Sequence, residues 1–538
     1  MFLKKIILSS LFLGVFLMLS AHIGSPGIVF EGSAGPYKIL ANIRPPDVVP
    51  GITQVSVRTE DKGISRISVV AVYYRHGGDK APSPDLMEKV PGDDQLYTGN
   101  TWMMAHGSSS IKIVIEGLKG RGSTVIPVPA LATAQLAMAK ELEIALIVLG
   151  LILFFGGITI VAASIGESIL APGEKLNRAL KWRAGLVATF SFALFIWILY
   201  LGLLWWQLEE NDYNYYMYKP AALETQVDQK DGISRIQFKF LDQGHIDRRP
   251  GDLVPDHGKL VHTFLVSKAN MNTFAHVHPL KIDSVTYEVF LPDGIPAGEY
   301  RMFTDIVHQS GLGETLVTEL NIPAAAQTAG VSVTEDNLFQ KKKIKRDLDD
   351  SWYSYQKPNN FVQTLANGYT ITWDRPANKT FKVGQVESLK FKVQNALGLP
   401  VVLEPYLSML GHMAIMRNDG QVFIHLHPIG TISMAAQEAL AKTINDPITV
   451  CLPLDSSIVT LDSLSVLNAN TQLDSRQLST MRDDIQKMMQ EKGLSHEVSF
   501  PYSFPKAGKY RLWVQVKVKG QILTAGFDVE VQEEKAKV

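Results

Sequence analysis

Phe274-Ala-His276-Val-His278-Pro279, preceded by His262, is answered later in the chain by Phe423-Ile-His425-Leu-His427-Pro428, preceded by His412. Each block leads to a second shared phrase, Pro296-Ala-Gly-Glu-Tyr300-Arg-Met-Phe303 in one copy and Pro505-Lys-Ala-Gly508-Lys-Tyr510-Arg-Leu-Trp513 in the other. The chain therefore carries a duplicated, histidine-bearing domain. In a β-strand alternate residues share a face, so the imidazoles of a His-x-His unit point the same way, with Cα atoms about 6.5–7 Å apart.

Turn chemistry extends the pattern. If Asp419-Gly420 is a two-residue hairpin turn, Asn418 pairs with Gln421 and His412 falls opposite His427. A three-residue loop at Ala269–Met271 sets His262 opposite His278 in the other copy. Both copies then gather three imidazoles on one face of a hairpin: His262, His276 and His278, and His412, His425 and His427. Neutral imidazoles in this number suit copper(II) or zinc, and Met413, Met416 or Met434 would be at hand for copper(I). Asp305 and His308 follow the tyrosine phrase and are expected to complete or orient the first set. Against this stands a structural reading, in which a histidine before proline caps a strand end. Duplication copies structural residues as faithfully as ligands.

Outward from the blocks, short runs of alternating apolar and polar residues recur, such as Ile67-Ser-Val-Val-Ala-Val-Tyr73, Ser234-Arg-Ile-Gln-Phe-Lys-Phe240 and Thr315-Leu-Val-Thr-Glu-Leu320, separated by Gly, Pro and Asp clusters. That texture predicts antiparallel sandwiches. The expected fold class is mainly β: three immunoglobulin-like β-sandwich domains plus a two-helix transmembrane hairpin. The sandwiches are placed at 33–130, 220–325 and 355–538, with a linker over 326–354 that includes the charged run Lys341–Asp350. His278 lies 18 residues before Pro296, but His427 lies 78 before Pro505, so the last sandwich holds an insert over about 435–495. Within it Leu478, Met481, Ile485, Met488 and Met489 share one helical face, read as the core side of a covering helix.

Residues 138–208 contain two uncharged apolar runs, 144–165 and 184–206, each long enough to cross a bilayer core of about 30 Å. Lys175, Arg178, Lys181 and Arg183 lie between them, and Glu141, Glu143, Glu209, Glu210 and Asp212 flank them outside. The positive-inside rule makes that loop cytoplasmic. Trp205, Trp206 and Tyr213–Tyr218 resemble an aromatic belt at the outer interface. Residues 1–21 read as a signal peptide or an uncleaved N-terminal anchor.

With 52 basic and 53 acidic residues there is no global field to recruit nucleic acid. A single cysteine, Cys451, excludes an internal disulfide and argues against a Cys-ligated zinc site. No Gly-x-Ser-x-Gly, His-Glu-x-x-His or phosphate-loop signature is present, so an enzyme is not expected.

The first sandwich, with Pro45-Pro46-Asp47-Val-Val-Pro50-Gly51, Leu96-Tyr97-Thr98-Gly99 and Gly107-Ser-Ser-Ser-Ile-Lys-Ile-Val-Ile115, resembles bacterial YtkA-like secreted domains, which are immunoglobulin-like. The two later sandwiches are similar to domains of uncharacterised bacterial envelope proteins and, more loosely, to periplasmic copper-resistance proteins of the CopC type. This chain departs from the CopC pattern in having no histidine at the start of its first strand. The resemblance implies a bacterial cytoplasmic-membrane protein with soluble domains facing the periplasm and copper as its ion. Two functions are therefore expected as alternatives: metal storage, sensing or hand-over, or an envelope scaffold docking a protein partner through domains whose histidines are structural.

Overall fold

The computed structural model describes residues 27–167, 170, 173–230, 233–241, 247–324, 346–354, 361–396, 398, 401–444 and 496–533, apart from 250, 293 and 366. The N-terminal apolar run, residues 341–345 of the charged stretch, Cys451 and the methionine-faced helix expected around 478–489 lie outside these residues.

Among the described residues the fold is mainly β, with six sheets that are antiparallel throughout except where Phe381–Lys382 runs parallel to the end of Gln521–Gln532. Sheets come in pairs of four and five strands. In the first pair, Tyr37–Arg44 shows a buried–exposed alternation and packs Tyr37, Ile39, Ala41 and Ile43 inward. In the second pair, Ile236, Phe238, Tyr287 and Val289 from one sheet share a core with Leu265, Val277, Met302 and Leu316 from the other. Trp373, Leu389, Phe391 and Phe500 do the same with Met413, Ile415, Leu512 and Phe527 in the third. The shared tyrosine phrase is a structural device: Tyr300 Oη donates to the Pro296 carbonyl at 2.7 Å and Tyr510 Oη to the Lys506 carbonyl at 2.6 Å.

The histidine strands break the alternation. His262–Ser267, Thr273–Val277 and His412–Arg417 are buried at nearly every position, so both of their faces are covered. Odd-numbered Leu265, Val277, Met413 and Ile415 enter their own cores. The opposite faces meet each other: Phe264, Val266, Phe274 and Phe303 of the first repeat form one apolar cluster with Ala414, Met416, Phe423 and Trp513 of the second. Phe274 stacks on Trp513 with centroids 4.8 Å apart, and its counterpart Phe423 stacks on Phe303 at 3.9 Å. The repeats are thus packed face to face with an approximate two-fold relation, as in an isologous dimer.

Two further features anchor the site. The end of the stretch expected as a linker joins a sheet instead, since Ser351–Ser354 pairs with Thr273–Val277 at the edge. The first sandwich holds the turn after His427: Phe30 bridges Gly430, and Glu31 N and Thr431 N donate across to Ile429 O and Val29 O. Gly430 has φ +117°, and a Cβ there would lie 2.0 Å from Val29 O, so the contact requires glycine. The described part of the insert begins with the helix Met434–Thr443, capped by Ser433, which accepts from Ala436 N at 3.2 Å. Leu440 on it and Ile444 at its C-terminal cap pack with Val70, Val72 and Val125 of the first sandwich.

Residues 131–219 form a separate helical unit. Helices Lys140–Glu167 and Arg178–Tyr216 pack through Phe154 against Phe192 and Phe195, with Asn177 capping the second. Both are long and apolar enough to cross a membrane, with mean hydropathies of 2.9 and 2.2 in windows almost wholly unburied within the protein.

Candidate metal centre

The hairpins take the register read from their turns. Thr263 faces Val277 and Met413 faces Leu426, which sets His262 beside His278 and His412 beside His427. In each copy one nitrogen per ring lies within 4.8 Å of the other two, giving the groups His262–His276–His278 and His412–His425–His427. All six rings are buried. The groups are also adjacent, because they lie on the faces that meet: His262 and His276 come to 5.4 and 5.5 Å of His425 between ring centroids.

The outer nitrogen of each ring faces oxygen. His262 Nε2 lies 3.1 Å from the Asp256 carbonyl and His412 Nε2 3.1 Å from the Tyr406 carbonyl. These carbonyls belong to two equivalent tight turns, Asp256–Lys259 and Tyr406–Met409, whose central residues all have positive φ: His257, Gly258, Leu407 and Ser408. His427 Nδ1 lies 2.9 Å from Ile432 O, and His278 Nδ1 3.0 Å from Asp350 Oδ1. The other two contacts cross between repeats: His276 Nδ1 sits 2.9 Å from Gln515 Oε1 and His425 Nδ1 3.4 Å from Asp305 Oδ2. Gln515 and Asp305 hold the same place, as register partners of His412 and His262.

An imidazole that donates to a carbonyl or carboxylate from one nitrogen must carry its lone pair on the other. His262 and His412, each donating from Nε2 to a carbonyl, therefore turn the lone pair of Nδ1 toward a second imidazole nitrogen, His276 Nε2 at 3.2 Å and His425 Nε2 at 3.0 Å. His278 Nε2 is buried without a hydrogen-bond partner among the described residues. Two nitrogens bound to one zinc or copper ion at about 2.0–2.1 Å, with angles of about 90–110°, are about 2.9–3.4 Å apart. The spacings fit, and outer oxygens that fix tautomer and ring orientation are the usual partners of metal-binding histidines.

Burial, and then the proximity of His278, hold His262 and His276 well below the ordinary imidazole range. Burial and His427 do the same to His412 and His425. Desolvation pushes Asp305 up to about 7. Burial alone would raise Asp256, but His257, His427 and His262, with the N–H of Ala435 at 3.1 Å, outweigh it and hold the carboxyl below its usual value.

His308 is the exception among the expected ligands. It stands apart from both groups because Asp252 meets its Nδ1 and Glu314 its Nε2, and Glu314 also pairs with buried Arg248 at 2.7 Å. Burial opposes its charge, yet the two carboxylates prevail and raise it. Met413 faces its own core by strand alternation, Met416 lies in the apolar cluster, and Met434 opens the insert helix. Sequence reasoning missed Asp256, His257, Asp350, Tyr406 and Gln515. Aligning Pro255-Asp-His-Gly-Lys-Leu260 with Pro405-Tyr-Leu-Ser-Met-Leu410, both ending two residues before a histidine, would have exposed the first two and Tyr406.

Residues 363–446 and 482–533, within the second repeat, match a family described as a domain of unknown function (DUF8832). No curated protein matches the chain. Among solved structures it is similar to a tetra-tandem repeat in the extending region of a large adhesion protein, at 8% identity over 90% of this chain and 72% of that one, with TM-score 0.14. Escherichia coli alpha-2-macroglobulin activated by porcine elastase gives 8% identity, 95% and 31% coverage and TM-score 0.15. The BSP domain of a biofilm associated protein gives 7%, 96% and 68%, with TM-score 0.14. Likenesses of this size carry no argument about what the chain does.

Proposed function

We propose that this is a membrane-anchored protein of the bacterial envelope whose two histidine repeats together bind two transition-metal ions, copper first and zinc as the alternative, for storage, sensing or hand-over. Its sheet pairs are read as three immunoglobulin-like sandwiches facing the periplasm, and the apolar helices as their anchor in the cytoplasmic membrane. The observation that carries the reading is the gathering of three buried imidazoles in each repeat with ligand nitrogens within 4.8 Å of one another, two of them, His262 and His412, held by carbonyls that aim a lone pair inward. The test is metal analysis of the full chain in detergent after loading with copper(II) and, separately, zinc(II). Two ions per chain are expected, and none after His276, His278, His425 and His427 are changed to Ala in a variant whose far-ultraviolet circular dichroism is unchanged. Equal metal content in parent and variant would overturn the proposal.

A scaffold reading is favoured by one observation, the aromatic stacking of Phe274 on Trp513 and Phe303 on Phe423, which joins the repeats without any ion. It predicts a partner that stays bound to the chain after chelation.

A further inference from the structure

The approximate symmetry between the repeats fails at one turn. Asp256-His257-Gly258-Lys259 and Tyr406-Leu407-Ser408-Met409 share backbone conformation, paired hydrogen bonds and the carbonyl that holds the following histidine. At the turn tip one copy has His257 and the other Leu407. A histidine at an exposed tip would be solvated, but the His257 side chain is fully buried, at 0% exposure. Its ring lies 5.2 Å from His412 and 4.8 Å from His427, both of the other repeat, and only 6.3 Å from His262 of its own. Asp256, His257 and His427 each place a ligand atom within 4.8 Å of the others.

The first triad receives something different from its partner's turn. Tyr406 brings a hydroxyl to 3.3 Å from His276 Nδ1, on the outer side of the ring, and the aliphatic Leu407 adds no donor. Near His278 stand Asp347 and Asp350, and Asp350 already engages the Nδ1 of that ring.

We propose that His257 is the fourth imidazole of the His412–His425–His427 centre, so that the ion there is held by both repeats and clamps them together, with Asp256 beside it as a balancing carboxylate. The His262–His276–His278 centre keeps three imidazoles and an open position. This inference rests on the metal reading above. Four-coordinate sites closed by protein ligands are the structural kind, whereas sites with three protein ligands exchange or react at the fourth position. One chain would then carry a retained ion and an exchangeable one.

The experiment follows release of copper(II) from the fully loaded chain into excess EDTA. The parent is expected to release one ion quickly and the other at least 10-fold more slowly. His257→Leu, which installs the residue of the other repeat, should make both fast. Leu407→His, which offers the first triad a fourth imidazole, should make both slow, and it serves as the check that does not depend on losing a side chain. Two-phase release that persists unchanged in both variants would overturn the role of His257 while leaving the two-ion reading intact. A parent that binds no copper would overturn the underlying reading itself.

Discussion

Phe303 lies flat on Phe423, centroids 3.9 Å apart and planes 6° from parallel, one ring from each repeat. Its symmetry mate is Phe274 on Trp513, with planes 11° apart. These stacks lie in the same layer as the imidazoles, so the surface that brings the triads together is apolar and self-complementary. Trp513 is fully buried. Trp513→Ala should cost about 3–5 kcal/mol, the range for truncating a buried aromatic. Denaturant unfolding of the metal-free chain measures it, and a loss below about 1 kcal/mol would show the contact to be dispensable.

Acid should open the metal-free protein. His262, His276, His412 and His425 sit well below their unfolded value of 6.5, so the unfolded chain takes up protons first as pH falls. Stability is therefore present above about pH 6.5 and declines below it, by up to about 1.4 kcal/mol per pH unit for each ring. Asp305, raised to about 7, acts in the opposite direction between 3.8 and 7 but is one group against four. Melting temperature across pH 7.5 to 5 reads the outcome. A flat profile would mean that the rings are solvated or already charged.

Asp350 contacts His278 through both its backbone N–H at 2.7 Å and its ring at 3.0 Å. Asp350→Asn keeps an acceptor but removes the charge that orients the ring. Affinity at the first triad should fall about 10–100-fold, the usual effect of losing such a partner, with the melting point of the metal-free chain little changed. Competition with a chelator of known affinity gives the number.

His308 should behave unlike every other expected ligand. Its replacement by Ala leaves Glu314 and Arg248 paired but strips one carboxylate contact from a buried group, so stability falls while ion stoichiometry stays at the parent value. Because its folded value is raised, its contribution is fully present below about pH 6.5 and is lost as pH rises through the folded value. Calorimetry of the variant at two pH values, with metal analysis alongside, separates this from the triads.

What the chain disclosed by itself follows from local rules. Period-two spacing put His276 with His278 and His425 with His427, and the Asp419-Gly420 turn fixed the register that sets His412 beside His427. Two long apolar runs read directly as helices. The meeting of the two triads was not legible, because Phe264, Val266 and Phe274 look the same whether a strand is covered on one face or on both. His308 misled for a related reason: its closeness in sequence to Asp305 says nothing of Glu314, which returns to it across the next hairpin. Asp256 and His257 give no strand or repeat signal, although a histidine beside Gly258 in a left-handed turn is a conformation with few occupants.

The ladder between Phe30 and Gly430 joins residues that precede the apolar helices to residues that follow them. A chain paired with itself in this way imposes an arithmetic on any bilayer it enters through that region: the number of crossings between those two points must be even. Both helices traverse together or neither does. A topology in which one spans and the other lies along the surface would part residues 27–130 from the second repeat and break their pairing with the turn after His427.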